Sequence, residues 1–254
     1  MLKEKTYNVT LVTKEPFRIG ATSDPLSGAD NPITKLAGKM VIPGSTIKGA
    51  LRSEIERHLI DTYDKNGQFF KPCIPGAALS KDEEKLVDSG KYRDKDGACH
   101  YPCNPDPKKC GNKSHPICPA CYFLGSQGLV GFVKVPFLYA EGSPTDITGT
   151  RIDRARKTVF EKRGKGALYT YEVVPDGISF SGILSVLVED SVLGWKIGQA
   201  RPLKDVSPGD EWLKSSPIDS DKIIKEFILE RLTAIKVLGG YKSKGFGNVE
   251  IKIG

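Results

Sequence analysis

Five of the six cysteines fall between residues 99 and 121, in the run Cys99-His100-x2-Cys103-x6-Cys110-x7-Cys118-Pro119-Ala120-Cys121. The closing C-x2-C knuckle lets two thiolates chelate one ion from a tight turn, and tetrahedral zinc then needs two more soft ligands. Cys103 and Cys110 are the first candidates to complete the set, with His100 and Cys99 in reserve and His115 behind them. A closed four-thiolate site is structural rather than catalytic, and such a zinc staples a segment with little core of its own. Free cysteines belong in apolar cores, whereas this run is polar. Cys73, alone in Lys71-Pro72-Cys73-Ile74-Pro75, reads as an ordinary small buried residue.

A second chemistry would need carboxylates. Asp24 and Asp30 share the loop Ala21-Thr22-Ser23-Asp24-Pro25-Leu26-Ser27-Gly28-Ala29-Asp30-Asn31-Pro32. Either could hold a divalent cation near a phosphodiester, or orient or deprotonate a 2′-hydroxyl; either could equally be a turn residue. No catalytic triad or paired-histidine site is visible. Of the three histidines, His58 falls on a helix flank expected to be exposed, and the other two lie in the cysteine-rich stretch.

Positive charge is the third signal. The net charge is +7 with a pI near 9.0, which favours a polyanionic partner. Between Arg151 and Lys165, seven basic residues, Arg151, Arg154, Arg156 and Lys157 among them, face two acids. The loop Gly239-Gly240-Tyr241-Lys242-Ser243-Lys244-Gly245-Phe246-Gly247 adds Lys242 and Lys244 for phosphates and two aromatic rings for bases. Its glycines free the backbone for a ligand or simply make a turn. Pro43-Gly44-Ser45 leads into a helix whose N-terminal N–H groups attract anions, and Lys48 adds a full charge there. Gly49 inside that helix suggests a close approach by another group, or a glycine tolerated for packing.

Regular elements must position these groups. Alternation predicts a first strand over 7–13, extended by Phe17-Arg18-Ile19-Gly20, and residues 21–39 read as loop. A helix follows from about Ser45, its expected N-cap, to Ile60, with Ile47, Leu51, Ile55 and Leu59 as its apolar stripe. Further strands are expected over 132–139, with Pro136 marking an edge or bulge, over 169–174, over 178–188, and over 248–253. A second amphipathic helix is expected over 221–237, capped by Ser220, with Ile224, Phe227, Ile228, Leu232 and Ile235 inward. Without the insertions, the order is strand, helix, strand, strand, helix, strand. This is an α+β chain with a ferredoxin-like (RRM-like) βαββαβ core. It reads as one domain over 1–254, carrying a zinc-binding insertion at 62–130 and a hairpin insertion at 141–177. No apolar run reaches membrane-spanning length and Met1-Leu2-Lys3-Glu4-Lys5 is no signal peptide, so a soluble cytoplasmic protein is expected.

The segments resemble the RAMP superfamily of CRISPR proteins, and more narrowly the repeated backbone subunit of type III (Csm/Cmr-like) RNA-guided effector complexes. The resemblance rests on Phe17-Arg18-Ile19-Gly20, Gly28-Ala29-Asp30-Asn31-Pro32-Ile33 and Ile42 to Arg52. It continues through Cys118-Pro119-Ala120-Cys121-Tyr122-Phe123-Leu124-Gly125, Arg151-Ile152-Asp153-Arg154 and the closing glycine loop. It implies a guide-RNA-binding subunit that self-associates into a helical filament with other CRISPR effector subunits. Each copy would insert a β-hairpin thumb, fitted by the basic window, that kinks the guide–target duplex. Asp30 occupies the place of the family's cutting aspartate, which cleaves complementary target RNA at regular intervals with a divalent cation such as magnesium. Lys48 and Arg52 occupy the place where the first helix meets guide backbone. Three other readings stand beside this one: a non-catalytic RNA-binding filament subunit, a guide-precursor processing ribonuclease using His58, and a zinc-stabilised protein-interaction module.

Overall fold

The computed structural model describes residues 1–21, 30–63, 70–75, 79–93, 98–99, 116–150, 152–153, 158–159, 161–162, 165–166, 168–203, 209–214 and 216–254. The chain forms two compact units. One gathers Met1–Tyr7, Lys48–Pro136 and Ile183–Ala234; the other gathers Asn8–Ile47, Phe137–Gly182 and Ile235–Gly254. The fold is mixed α/β with an antiparallel sheet.

The second unit contains most of the sheet. Strand β1 (Leu2–Thr13) is followed by a hairpin of β2 (Lys35–Leu36) and β3 (Lys39–Ile42). That hairpin begins inside the expected 21–39 loop and runs past its end, so the loop is shorter than its polarity suggests. Ala37 and Gly38 both adopt positive φ, 49° and 78°, as a two-residue hairpin turn requires. Helix α1 (Gly44–Tyr63) comes next in the chain. It starts one residue before Ser45, with the Thr46 N–H donating to the Pro43 carbonyl at 2.9 Å. Ser45 therefore lies inside the first turn and is not the N-cap. Ile47, Leu51, Ile55 and Leu59 are all buried, as their four-residue spacing requires.

The 132–139 segment divides around Pro136 into β4 (Val133–Lys134) and β5 (Leu138–Ala140). A polar ribbon follows, in which β6 (Thr145–Thr150) pairs antiparallel with β11 (Leu168–Val173). Between them β7 (Ile152–Asp153) pairs with β8 (Thr158–Val159), and β9 (Glu161–Lys162) with β10 (Lys165–Gly166). The chain returns through the long β12 (Ser179–Asp190), then β13 (Trp195–Lys196), and ends on β14 (Val249–Ile253). The strand order is β14-β1-β12-β5-β3-β2. On β12, Phe180, Leu184, Val186 and Val188 are buried, while Ser179, Ser181 and Ile183 on the other face are exposed.

The first unit holds the aromatic core. Helix α2 (Lys81–Asp88) has a capping box, in which the Ser80 hydroxyl accepts from the Glu83 N–H and the Glu83 carboxylate accepts from the Ser80 N–H. Helix α3 (Pro119–Leu124) is buried at all six positions. Neither helix is foreseen in the 62–130 stretch, and α3 is core rather than a staple over polar loop. Tyr122 and Phe123 pack with Phe132, Phe227 and Trp212 of α4 (Glu211–Lys214). Arg201, sealed by a bidentate pair with Asp210 at 2.8 and 2.9 Å, lies over the Tyr122 ring. The expected 221–237 helix is α5 (Ser220–Ile224), a π-helical turn over Lys225–Leu229, and α6 (Glu230–Ala234). Its N-cap is Asp219, whose carboxylate accepts from the Asp221 and Lys222 N–H groups, so the assignment to Ser220 is off by one. Ile224, Phe227, Ile228, Leu232 and Ile235 are all buried.

Two glycines make opposite predictions. A Cβ on Gly247 (φ +95°) would lie 2.3 Å from the Leu238 carbonyl oxygen, whereas one on Gly49 would meet nothing within 4 Å. Gly247→Ala should therefore cost at least ~1–3 kcal/mol of stability, and Gly49→Ala should add about 1 kcal/mol. Urea unfolding of the two variants checks this; equal midpoints would contradict it.

Candidate metal centre and nucleic-acid interface

Among the described residues, Cys73, Cys99, Cys118 and Cys121 converge, all buried, with their sulfurs within 4.8 Å of one another. Cys118 sits immediately before Pro119, the first residue of α3, and Cys121 lies one turn in, so the knuckle is the entry to that helix. Cys73 Sγ is 3.4 Å from Cys121 Sγ and 3.7 Å from Cys118 Sγ. The Cys118 N–H donates to Cys99 Sγ at 3.3 Å. Cys73 is thus no isolated core residue but a member of the cluster, and Cys99, held in reserve on spacing, is another. Cys103, Cys110, His100 and His115 lie outside the described residues.

The donor set fits a closed tetrahedral site. Zinc–sulfur bonds of about 2.3 Å put tetrahedral sulfurs about 3.8 Å apart, close to the spacings found. Thiols left to themselves share protons. Burial opposes a charge on Cys118, yet hydrogen bonds from Cys121, Cys73 and Cys99 hold it well below the ordinary thiol range. Donating to Cys118 in turn raises Cys99 and Cys121 well above that range. A divalent cation supplies the compensation that lets all four ionise. The four cysteines could therefore hold a metal such as zinc.

Arg52 is expected at guide backbone, but its side chain turns to the cysteines. Its Nη2 donates to the Cys73 carbonyl at 2.9 Å, and its Nη atoms lie 3.5 Å from Cys73 Sγ and 3.6 Å from Cys121 Sγ. Its Nε is 2.7 Å from Glu56, and only 15% of the side chain is exposed. Burial pushes the Glu56 carboxyl up to about 7, with Arg52 opposing the rise. His58 is no exposed flank residue either. Its Nε2 is 3.1 Å from Glu226 Oε1, its ring meets Phe227 edge-on at 5.4 Å, and its side chain is 14% exposed.

Lys48 stays on the surface, where it lines a cleft of about 530 Å³ together with Glu4, Ser126, Val130, Phe132 and Lys134. The Ser126 hydroxyl oxygen is buried there without a hydrogen-bond partner. Lys48 and Lys134 set two positive charges against the one carboxylate of Glu4 in the lining, which suits an anionic ligand.

In the other unit, Asp30 is exposed, and its Oδ2 accepts from the Thr170 N–H at 2.8 Å. The strap that carries it is pinned to β11. Asn31 donates to the Thr170 carbonyl at 3.2 Å and accepts from the Glu172 N–H at 3.0 Å. The buried Glu172 carboxylate accepts from the Ile33 N–H at 2.9 Å and pairs with Lys35 at 2.7 Å. Arg18 donates to the Pro32 carbonyl at 3.2 Å, lies 5.3 Å over the Tyr241 ring, and takes the Gly240 N–H on its own carbonyl at 2.8 Å. No spacing rule points to Glu172 or Arg18; their roles exist only once the strap meets β11 and the glycine loop. Asp24 lies outside the described residues, as do Arg151, Arg154, Arg156 and Lys157.

The glycine loop is less open to ligand than its composition suggests. Tyr241 and Phe246 pack with each other at 6.1 Å and against Tyr171 at 5.7 and 6.2 Å. A Cβ on Gly239 would collide with the Arg18 carbonyl at 2.5 Å, so that glycine serves the fold. Lys242 and Lys244 remain exposed on a short 3-10 turn, Lys242–Lys244, with Lys244 Nζ 4.7 Å from the Tyr241 ring centroid.

Cys73 gives the sharpest test of the metal centre. Cys73→Ser should weaken zinc binding by more than the ~10–100-fold that loss of a supporting group costs. It should also abolish the drop in thermal unfolding temperature that a chelator causes in the unaltered chain. Calorimetry with and without chelator checks both; a full chelator response in Cys73→Ser would remove Cys73 from the ligand set.

A family model, the RAMP superfamily, matches residues 10–250. No curated protein matches the chain. Among the described residues, no helix is long and apolar enough to cross a membrane.

Proposed function

The chain belongs to the RAMP superfamily, and on that premise we propose that it is the guide-RNA-binding backbone subunit of a type III CRISPR interference complex that cuts target RNA. Membership makes it a CRISPR-associated RNA-binding subunit. The finer reading draws on the strand order. Counting β1, β5, β12 and β14 as the four strands of a split βαβ core, their spatial order is fourth, first, third, second. That arrangement, with a helix in each crossover, supports a ferredoxin-like core. The β6–β11 ribbon and its basic sequence window support a thumb that engages a duplex backbone. Lys48 at its cleft, with Lys242 and Lys244 on their turn, supplies phosphate contacts.

The observation that carries the cutting role is Asp30: an exposed carboxylate with one oxygen fixed by a backbone N–H, on a strap tied down at several points. A carboxylate held this way can orient the 2′-hydroxyl of a target nucleotide and accept its proton. The 2′-oxygen then attacks the adjacent phosphorus and the 5′-oxygen leaves, taking a proton from water, to give a cyclic phosphate and a 5′-hydroxyl. Among the described residues, Asp30 belongs to no group of three metal-ligating side chains. A magnesium ion would take Asp30 as a ligand and supply charge stabilisation at the phosphate.

That same solitude favours a second reading, a filament subunit that binds RNA without cutting. A processing nuclease finds less support, because His58 is packed between Glu226 and Phe227. A reconstituted complex given guide-complementary RNA separates the first two. The expected result is a regular ladder of products, reduced at least ~100-fold by Asp30→Ala with target binding intact. Undiminished cutting by Asp30→Ala would remove Asp30 from the chemistry; a wild-type complex that binds without cutting would establish the second reading.

A further inference from the structure

Arg52 and Arg93 both aim guanidinium N–H groups at the sulfur cluster, and this carries a consequence for what Arg52 does. Arg52 reaches Cys73 and Cys121, as described, while Arg93 Nη1 lies 3.7 Å from Cys99 Sγ and donates to the Pro116 carbonyl. Arg93 is 7% exposed. Four thiolates around a divalent ion carry a net charge of about −2, and a buried charge of that size is costly unless it is paired and hydrogen-bonded. Two guanidiniums carry the opposite sign and face the sulfurs directly. Arginine suits the task because its planar fork of donors can serve a carbonyl and two sulfurs at once, which a lysine ammonium on a flexible stem does poorly.

We propose that Arg52, with Arg93, is a charge-balancing clamp for a metal held by Cys73, Cys99, Cys118 and Cys121, and that Arg52 is therefore a positioning residue of that centre rather than a phosphate ligand. This rests on the metal reading of the cysteines. The clamp joins three sequence-distant pieces: α1 through Arg52, the Cys73 segment through its carbonyl, and α3 through Cys121. Glu56, one turn on in α1, holds the other edge of the guanidinium and itself accepts from the Tyr92 hydroxyl at 3.3 Å. Lys48, one turn earlier on α1, is left free to face the cleft. The helix thus directs Lys48 to an outside anion and Arg52 to an inside one.

The test measures two affinities on the full chain. Zinc affinity is read by competition with a chelator, and affinity for a single-stranded RNA is read across a salt series with zinc saturating. The double variant Arg52→Met, Glu56→Met removes the clamp without stranding the carboxylate. Its zinc affinity should fall ~10–100-fold, while its salt slope for RNA stays unchanged. Lys48→Met should do the reverse, keeping zinc affinity and reducing the slope by about 0.7. Arg52→Lys, which keeps the charge and the Glu56 partner, should fall between wild type and the double variant in zinc affinity and guards against a folding defect. Wild-type zinc affinity in the double variant, or a salt slope for RNA reduced in it, would overturn the assignment. A wild-type chain that takes up no zinc would instead sink the metal reading itself.

Discussion

Four thiols cannot be buried within 4.8 Å of one another and all ionise unless something positive joins them. Much of the first unit depends on how that constraint is met. The cysteines come from three separate stretches, around residue 73, at residue 99 and at residues 118–121, and the stretches between them are polar. What unites them is the sulfur cluster and the two arginines beside it. The centre lies at the start of α3, whose six buried residues lead straight into the aromatic core of Tyr122, Phe123, Phe132, Trp212 and Phe227. A metal here would not merely staple a loop. It would fix the entry of a core helix, so its binding free energy would enter the stability of the whole unit.

The second unit meets a different constraint with ordinary hydrogen bonds. The strap that presents Asp30 to solvent buries Pro32 and Ile33, and it must also be anchored through its backbone. Backbone exchange with β11 does that work, through Asn31, Thr170 and Glu172. Arg18 extends the same logic: buried to 9% exposure, it ties the strap to the glycine loop through the Pro32 carbonyl, the Tyr241 ring and the Gly240 N–H. Tyr241 and Phe246 are half-buried in this packing, which takes up ring faces that bases would otherwise stack on. The exposed lysines of the loop are what it still offers to an anion.

Periodic features were legible in the sequence because they repeat: the buried stripe of α1, the alternating face of β12 and the inward residues of α5 and α6 follow from spacing alone. Local exchanges of one residue were not. Asp219 and Ser220 are both good caps, and only the observed N–H geometry chooses Asp219. Ser45 lost its cap role because α1 starts a residue earlier. The β2–β3 hairpin was missed because each strand contributes few residues and its turn is Ala37-Gly38 rather than an asparagine–glycine pair. Cys73 escapes sequence inspection for a deeper reason. A chelate from one turn leaves a trace in spacing, as Cys118 and Cys121 do, but a ligand delivered by a distant segment leaves none.

Arg52 meets the same limit, since its sequence neighbourhood points to RNA. A basic residue one turn after Lys48 has the right spacing to extend a phosphate-binding face, and nothing local distinguishes the two. They part because the helix is amphipathic in charge as well as in hydrophobicity. Lys48 falls on the exposed flank beside Gly49, whereas Arg52 falls beside the buried stripe, within reach of Cys73 and Cys121. Low exposure strengthens every interaction Arg52 makes there and removes the solvent that a phosphate would have to displace. Net charge therefore overstates the surface available to a polyanion: a cation turned inward to the cysteines and Glu56 contributes to the total but offers nothing to a ligand at the surface.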